Sequence, residues 1–334
     1  MSDLITSSLD RRFLLSALVP VLALAGWLGL LVATPSALAT WERQGAAERA
    51  MQVVLSIIAL VLAATLLSSQ RDGVLRLFEG YWCGPLDRTL GELGRRHHRR
   101  RARRMAQRAV VGQAAFAALR ARYPSGGRDA GEAVMPTALG NVLAAAEAYP
   151  WVRYRIDAVV VWPRLYPLLP DRVIGMVAAA RADVDFLAAC SLFGITASVA
   201  GGAIEWAQDA AWWQFAGALW APAIVAGLCY AGALRAADTY ADGIRVVFDL
   251  YRSELLRQLG LLPDKGLTAA TEQQLWLDLS QFWYRGIPLG TKQVEPPSPA
   301  QQKAVSLPGS RIPLWAWLSI PLISTTGIWL AVRV

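Results

Sequence analysis

The stretch EAYPWVRYRIDAVVVWPRLYPLLPDRV, residues 147–173, joins a basic polar region to a long apolar run, and its reading decides how the chain is divided. It mixes tyrosines, tryptophans and arginines and carries Pro163, Pro167 and Pro170. Pro163 is expected to end one element at Val161 or Trp162 and open the next. The proline ring disfavours helical geometry in the residue before it and suits a helix's first turn. Pro170 is expected to do likewise, with Asp171 in the favourable first turn of the following helix. Periodicity alone leaves residues 156–162, IDAVVVW, as a short strand or a buried helix. The helical surroundings and Asp157 at an N-terminus favour the helix.

On the C-terminal side the chain can continue as one helix to Trp206. This is the third of five apolar blocks long enough to cross a bilayer: 13–33, 51–67, 186–204, 212–234 and 312–332. The composition agrees, with 55% hydrophobic residues and a mean hydropathy of +0.34. The expected fold is all-α, a polytopic membrane protein with five transmembrane helices. A helical cytoplasmic domain, formed partly by extensions of those helices, completes it. The second span is expected to project as a helix as far as the Cys83-Gly84-Pro85 break, and a compact helix with Thr137 as its cap is expected to end at Pro150. The fourth span is expected to continue along the apolar stripe Ile244, Val247, Phe248, Tyr251, Leu255 and Leu259 as far as Gly260, and Thr268 to Gly286 to form a further amphipathic helix. The expected divisions are an N-terminal hairpin (1–69), a basic region (70–172), a second hairpin (173–235), a helical extension (236–291), a Pro-rich linker (292–311) and a last span (312–334). A competing reading makes Met1–Ala39 a cleaved signal peptide. Its apolar core is longer than a signal's, so a retained helix is preferred.

Charge sets the expected orientation. The whole chain carries +8, yet residues 71–172 alone hold eighteen arginines against nine acids, or +9. Connecting segments on the cytoplasmic side of a membrane accumulate positive charge. The N-terminus and both long polar segments are thus placed inside and the C-terminus outside, in a bacterial inner membrane. Arginine outnumbers lysine thirty to three, which reads as a coding bias of a GC-rich genome.

The densest basic run, RRHHRRRARRMAQR, is expected within a helix from Leu86 to about Arg122. Arg99, Arg100, Arg101, Arg103 and Arg104 there, with Arg153, Arg155, Arg164 and Trp162 of the opening stretch, are candidates for binding lipid or a protein partner. Arginines beside a membrane attract anionic phospholipid head groups, at about 1 kcal/mol per charge. Nucleic acid is disfavoured because the run has no interleaved aromatics. Tyr149, Trp151, Tyr154, Trp162 and Tyr166 suit the head-group layer. Arg181, Asp183 and Asp185, at the inner mouth of the third span, form a candidate ion-handling or structural charge set. Gly194, Ser198 and Gly202, and Ala223, Gly227 and Ala231, are two small-residue faces suited to helix contact in lipid.

No catalytic residue, cofactor or metal site is indicated. The sequence holds no G-x-S-x-G, H-E-x-x-H, Walker A or G-x-G-x-x-G motif. His97 and His98 lack a carboxylate or thiol at ligand spacing. Cys83, Cys190 and Cys229 form no C-x-x-C pair and read as small apolar residues, with a Cys190–Cys229 redox pair the lesser alternative.

PTALGNVLAAAEAYPWVRYRIDAVVVWPRLYPLLPD and YADGIRVVFDLYRSELLRQLG together resemble a family of uncharacterised bacterial multi-pass inner-membrane proteins. That resemblance implies the same hairpin–cytoplasmic–hairpin layout and carries no activity or catalytic residues. The functional expectation is a non-enzymatic scaffold or sensor whose basic domain meets anionic lipid or a protein. The alternative is a homo-oligomeric channel or transporter of bestrophin-like layout, which rests on layout alone.

Overall fold

A computed structural model describes residues 18–109, 112–124, 134–263 and 266–289. The Pro-rich linker and the span expected at 312–332 lie outside the described residues. Eleven α-helices make up almost all of what is described, and no strand occurs among the described residues. They are α1 (Val19–Val32), α2 (Pro35–Arg43), α3 (Ala46–Ser69), α4 (Arg71–Glu79), α5 (Glu92–Ala109), α6 (Gln113–Arg122), α7 (Ala138–Tyr154), α8 (Ala158–Leu165), α9 (Asp171–Ala207), α10 (Trp212–Gln258) and α11 (Ala269–Arg285).

Among the described residues three helices are long and apolar enough to cross a membrane, α3, α9 and α10, and α1 is a shorter apolar helix. They differ in how much they pack. Of the most apolar stretch, 6% is buried in α3, 22% in α10 and 44% in α9. Helix α3 therefore presents apolar side chains nearly all round, and only a solvent as apolar as itself suits such a surface.

Helices α9 and α10 form the central hairpin, and at 1.5 Å per residue the 47 residues of α10 span about 70 Å. The expected small face of α9 is used: Ser198 and Gly202 are buried, and Ser198 Oγ donates to the Leu219 carbonyl at 2.6 Å. A Cβ at Gly194 would stand 2.9 Å from the Ala226 Cβ, closer than packed carbons approach. On α10 the expected face is the wrong one. Gly227 and Ala231 are exposed, and the contact runs through Ala218, Pro222, Ala226, Ala233, Ala237 and Ala241. A four-residue repeat of small side chains occurs on more than one side of so alanine-rich a helix, so spacing alone does not select the side.

Below this hairpin the long helices carry a helical body. The stripe on α10 packs as expected: Ile244, Val247, Phe248 and Leu255 are buried, with Leu256 added and Leu259 exposed. They meet Ile156, Val161, Leu165 and Leu169 of the opening stretch and Trp276 and Leu279 of α11 in one core. Truncating Phe248 to alanine would cost about 3–5 kcal/mol. A second core joins Leu75 of α4, Leu139 and Val142 of α7, Val184 of α9 and Ala237 of α10.

Three boundaries differ from the sequence reading. The arm after α3 ends at Gly80, not at Cys83-Gly84-Pro85, because Gly80 adopts φ +94 and abuts Pro136 where a side chain would clash. The basic segment is two helices folded back on each other, so that His98 of α5 lies 3.1 Å from the Tyr123 hydroxyl just past α6. Pro150 sits inside α7, which runs on to Tyr154 and ends where Arg155 turns to φ 59.

Candidate functional site

The opening stretch folds as a collar around α10. Asp157 settles the helix-or-strand question, since its buried carboxylate caps α8 by accepting from Val159 N at 3.0 Å and Val160 N at 3.4 Å. Its second oxygen accepts from the Tyr284 hydroxyl of α11 at 3.1 Å. Contrary to expectation, Pro163 lies within α8 and does not divide it; the helix continues to Leu165. Only its missing N–H is lost there, one bond in a helix already capped and packed. Pro167 opens a short 3₁₀ turn, Tyr166–Leu168, and Pro170 is the N-cap of α9.

The collar's aromatics mostly turn inward. Tyr149 donates to both Asp249 oxygens, at 2.9 and 3.0 Å, and Tyr154 donates to Oδ1 at 2.7 Å. Burial first, and the Asp249 carboxylate second, push both phenols above the ordinary tyrosine range. Trp151 is buried, Trp162 is half-buried against Phe248 with ring centroids 6.1 Å apart, and Tyr166 is exposed. Of the five aromatics expected at a head-group layer, Tyr166 alone is exposed.

Next to Asp249, Arg252 binds in four directions. Its guanidinium lies 4.0 Å above the Tyr154 ring, and Nε donates to Glu272 at 2.9 Å. Nη1 donates to the Asp249 and Phe248 carbonyls. Arg252 thus ties α7, α10 and α11 together. The sequence reading missed Asp249, Arg252 and Glu272; the available signal was a charged i, i+3 pair set beside the apolar stripe of α10.

Between collar and hairpin lies a cavity of about 360 Å³. Glu79 of α4, Leu143 and Glu147 of α7, Val159 and Trp162 of α8, Arg181 of α9 and Tyr240 and Phe248 of α10 line it. Arg181 joins Asp185 at 3.2 Å and Asp72 at 3.7 Å, and stands 5.8 Å from the Tyr240 ring. Asp183 is exposed and outside this group, because residues 181 and 185 share a helix face that 183 does not. Glu79, Glu147 and Tyr240 were not singled out in the sequence; they come from three separate helices and no spacing connects them.

The remaining candidates are dispersed. Arg153 is exposed on α7, and its carbonyl accepts from Gln273 Nε2 at 3.2 Å. Arg155 caps α7 and lies 5.5 Å from the Trp151 ring. Arg164 lies 4.4 Å above the Trp283 ring and donates to the Val160 carbonyl at 2.6 Å. On α5, Arg100, Arg101, Arg103 and Arg104 are exposed, and Arg99 is half-buried and 3.8 Å from Glu92. The turn leading into α5, and its first residues, expose Leu86, Leu90 and Leu93, spaced i, i+4, i+7. His98, by contrast, is buried; burial first, then the charges of His97 and Arg101, push its imidazole down to about 4.

Among the described residues no group of three or more His, Cys, Asp or Glu side chains could hold a metal ion. Cys190 and Cys229 face each other as free thiols between α9 and α10, and Cys83 is exposed. No family model matches the chain, and no curated protein or solved structure matches it.

Proposed function

We propose that this chain is a non-enzymatic scaffold or sensor of a bacterial inner membrane. It crosses the bilayer five times with its N-terminus inside, and its basic helical body lies against anionic phospholipid on the cytoplasmic side. One observation carries the reading. The exposed arginines of α5 follow directly on the exposed leucines Leu86, Leu90 and Leu93 of the same helical segment. An apolar stripe beside a cationic one fits the plane of a head-group layer, where leucines enter the acyl boundary and arginines pair with phosphate. Trp206, Trp212 and Trp213, exposed at the far turn of the central hairpin, support the opposite membrane face there.

The test is hydrogen–deuterium exchange of the full chain in nanodiscs of phosphatidylcholine alone or mixed with phosphatidylglycerol. Residues 86–109 gain protection only with the anionic lipid, and the gain falls as salt rises. Equal exchange in both lipids would refute the contact.

The channel reading draws less support. Of Ser191, Thr196 and Ser198, the polar groups the third span offers a pore, Ser191 and Ser198 are buried, Ser198 is spent on the Leu219 carbonyl, and the exposed Thr196 hydroxyl donates to the Leu192 carbonyl of its own helix. Discrete pentamers or hexamers in detergent, with ion flux sensitive to Asp183→Asn, would reverse that preference.

A further inference from the structure

The wall of the collar cavity is largely apolar, with Leu143, Trp162, Ile244 and Phe248 among its surfaces. No charged group on that wall is without a partner. Arg181 is held by Asp185 at 3.2 Å and Asp72 at 3.7 Å, and Glu79 and Glu147 each have partners of their own. A charged ligand would give up its hydration and compete for groups already engaged, a cost that a neutral ligand does not meet. Tyr240 differs from the other polar groups. Its hydroxyl accepts from Arg181, which leaves its own O–H to donate, and no acceptor for that O–H occurs among the described residues. A carbonyl oxygen meets this donor without bringing an O–H or N–H that the apolar wall would leave unpaired.

Size and approach narrow the ligand further. An apolar cavity of about 150 Å³ takes one benzene ring, so a cavity of about 360 Å³ suits a body of about two rings. Val159 lines the cavity yet is 58% exposed, which places it at the mouth. With Pro163, Tyr166 and Pro167 it makes an exposed apolar stripe, spaced i, i+4, i+7 and i+8. Under the membrane placement proposed above, this stripe meets the acyl boundary, and a lipophile passes from bilayer to cavity along apolar surface.

We infer that this cavity binds a compact, neutral, lipophilic carbonyl compound drawn from the bilayer. Its oxygen accepts from Tyr240, and its body lies on Trp162, Ile244 and Phe248. The route of entry rests on the membrane placement; the chemistry of the site does not.

The experiment is photolabelling of the full chain in nanodiscs by benzophenone, a neutral two-ring ketone, with adducts located by peptide mass spectrometry. Adducts on α3 report simple partition into lipid and rise in proportion to concentration. Adducts on residues 158–163 and 240–248 are expected to saturate. The ketone 4-phenylcyclohexanone displaces them, and phenylcyclohexane, the same body without the carbonyl, does so about fivefold more weakly. Tyr240→Phe erases that difference. Val159→Trp fills the mouth and abolishes the collar adducts, with the α3 adducts and Tm unchanged. Discs of diether phospholipid identify the source of the carbonyl. A lipid ester seated in the cavity makes half-saturation fall on going from diester to diether discs, and a free lipophile leaves it unchanged; either result upholds the neutral carbonyl ligand. Collar adducts that rise in proportion to those on α3, or equal displacement by the two competitors, overturn the inference. So do a ketone preference that survives Tyr240→Phe, parental labelling in Val159→Trp, and stronger collar labelling by 4-benzoylbenzoate or 4-(aminomethyl)benzophenone than by benzophenone. Saturable collar adducts without any on α3 would break the membrane placement and keep the site, so the two failures are told apart.

Discussion

On α5, Arg100, Arg103 and Arg104 stand exposed and pair with nothing else among the described residues, whereas Arg252 of α10 is engaged through its plane, its Nε and its Nη1 at once. The two settings hold the same side chain for different physical reasons. Around Arg252 the planar fork and the stacking surface matter, because three helices meet on it. On α5, under the proposed lipid contact, only the charge and its reach matter, because there the counter-charges would be lipid phosphates. Lysine should therefore replace arginine on α5 and fail to replace it in the collar.

The largest expected effect comes from breaking the embedded arginine. Arg252→Ala removes the ion pair with Glu272 and the bond to the Asp249 carbonyl and is expected to destabilise the detergent-solubilised protein by about 2–4 kcal/mol. Arg252→Lys recovers less than half of that, as read by denaturant unfolding. A lysine variant as stable as the parent would remove the distinction between the two settings.

A second effect sharpens the contrast inside α5 itself, where one basic residue faces inward. The unfolded chain takes up a proton on His98 below pH 6.5, while the folded chain does not do so until about pH 4. Unfolded molecules bind the extra proton throughout that window, so stability falls as pH drops through it, by about 2 kcal/mol. Tyr123, His97 and Arg101 surround the imidazole, and none offers a negative charge to oppose the loss. Exchange rates at the contact of α5 with α6 should rise between pH 6.5 and 4, and His98→Gln should flatten that dependence.

A smaller cost is expected at the collar's start. Asp157→Ala removes the α8 cap and the acceptor of Tyr284, at about 1–2 kcal/mol, and Asp157→Asn restores most of the cap. Thermal unfolding of the two variants separates the cap from the tie to α11.

The smallest change in stability belongs to the exposed set. Replacing Arg100, Arg103 and Arg104 together with glutamine should alter stability by less than about 0.5 kcal/mol. It should nevertheless weaken attachment of α5 to anionic lipid by about 1 kcal/mol per charge. Lysine at the three positions should keep both properties.

The sequence made the helical class legible because apolar blocks of span length and the α10 stripe from Ile244 to Leu255 each repeat within one helix. Gly286 and Thr268 likewise bound α11 where expected, as its C-terminal turn and N-cap. What stayed hidden depends on separate helices meeting. Asp249 finds Tyr149 and Tyr154 across sequence separations of 100 and 95 residues, and Glu79, Glu147 and Tyr240 share one cavity wall from three helices. Pro150 and Pro163 misled for a related reason. A proline ends a helix when little else holds it, and both of these sit in helices fixed by caps and by the core.

Nitroxide depth measurement at α5 tests the central claim most directly. A label introduced at Leu90→Cys, in a chain whose three native cysteines are replaced by alanine, is read by oxygen and nickel accessibility in nanodiscs with and without phosphatidylglycerol. With the anionic lipid the label should become oxygen-accessible and protected from nickel, and glutamine at Arg100, Arg103 and Arg104 should return it to water. A label equally open to nickel in both lipids would contradict the account.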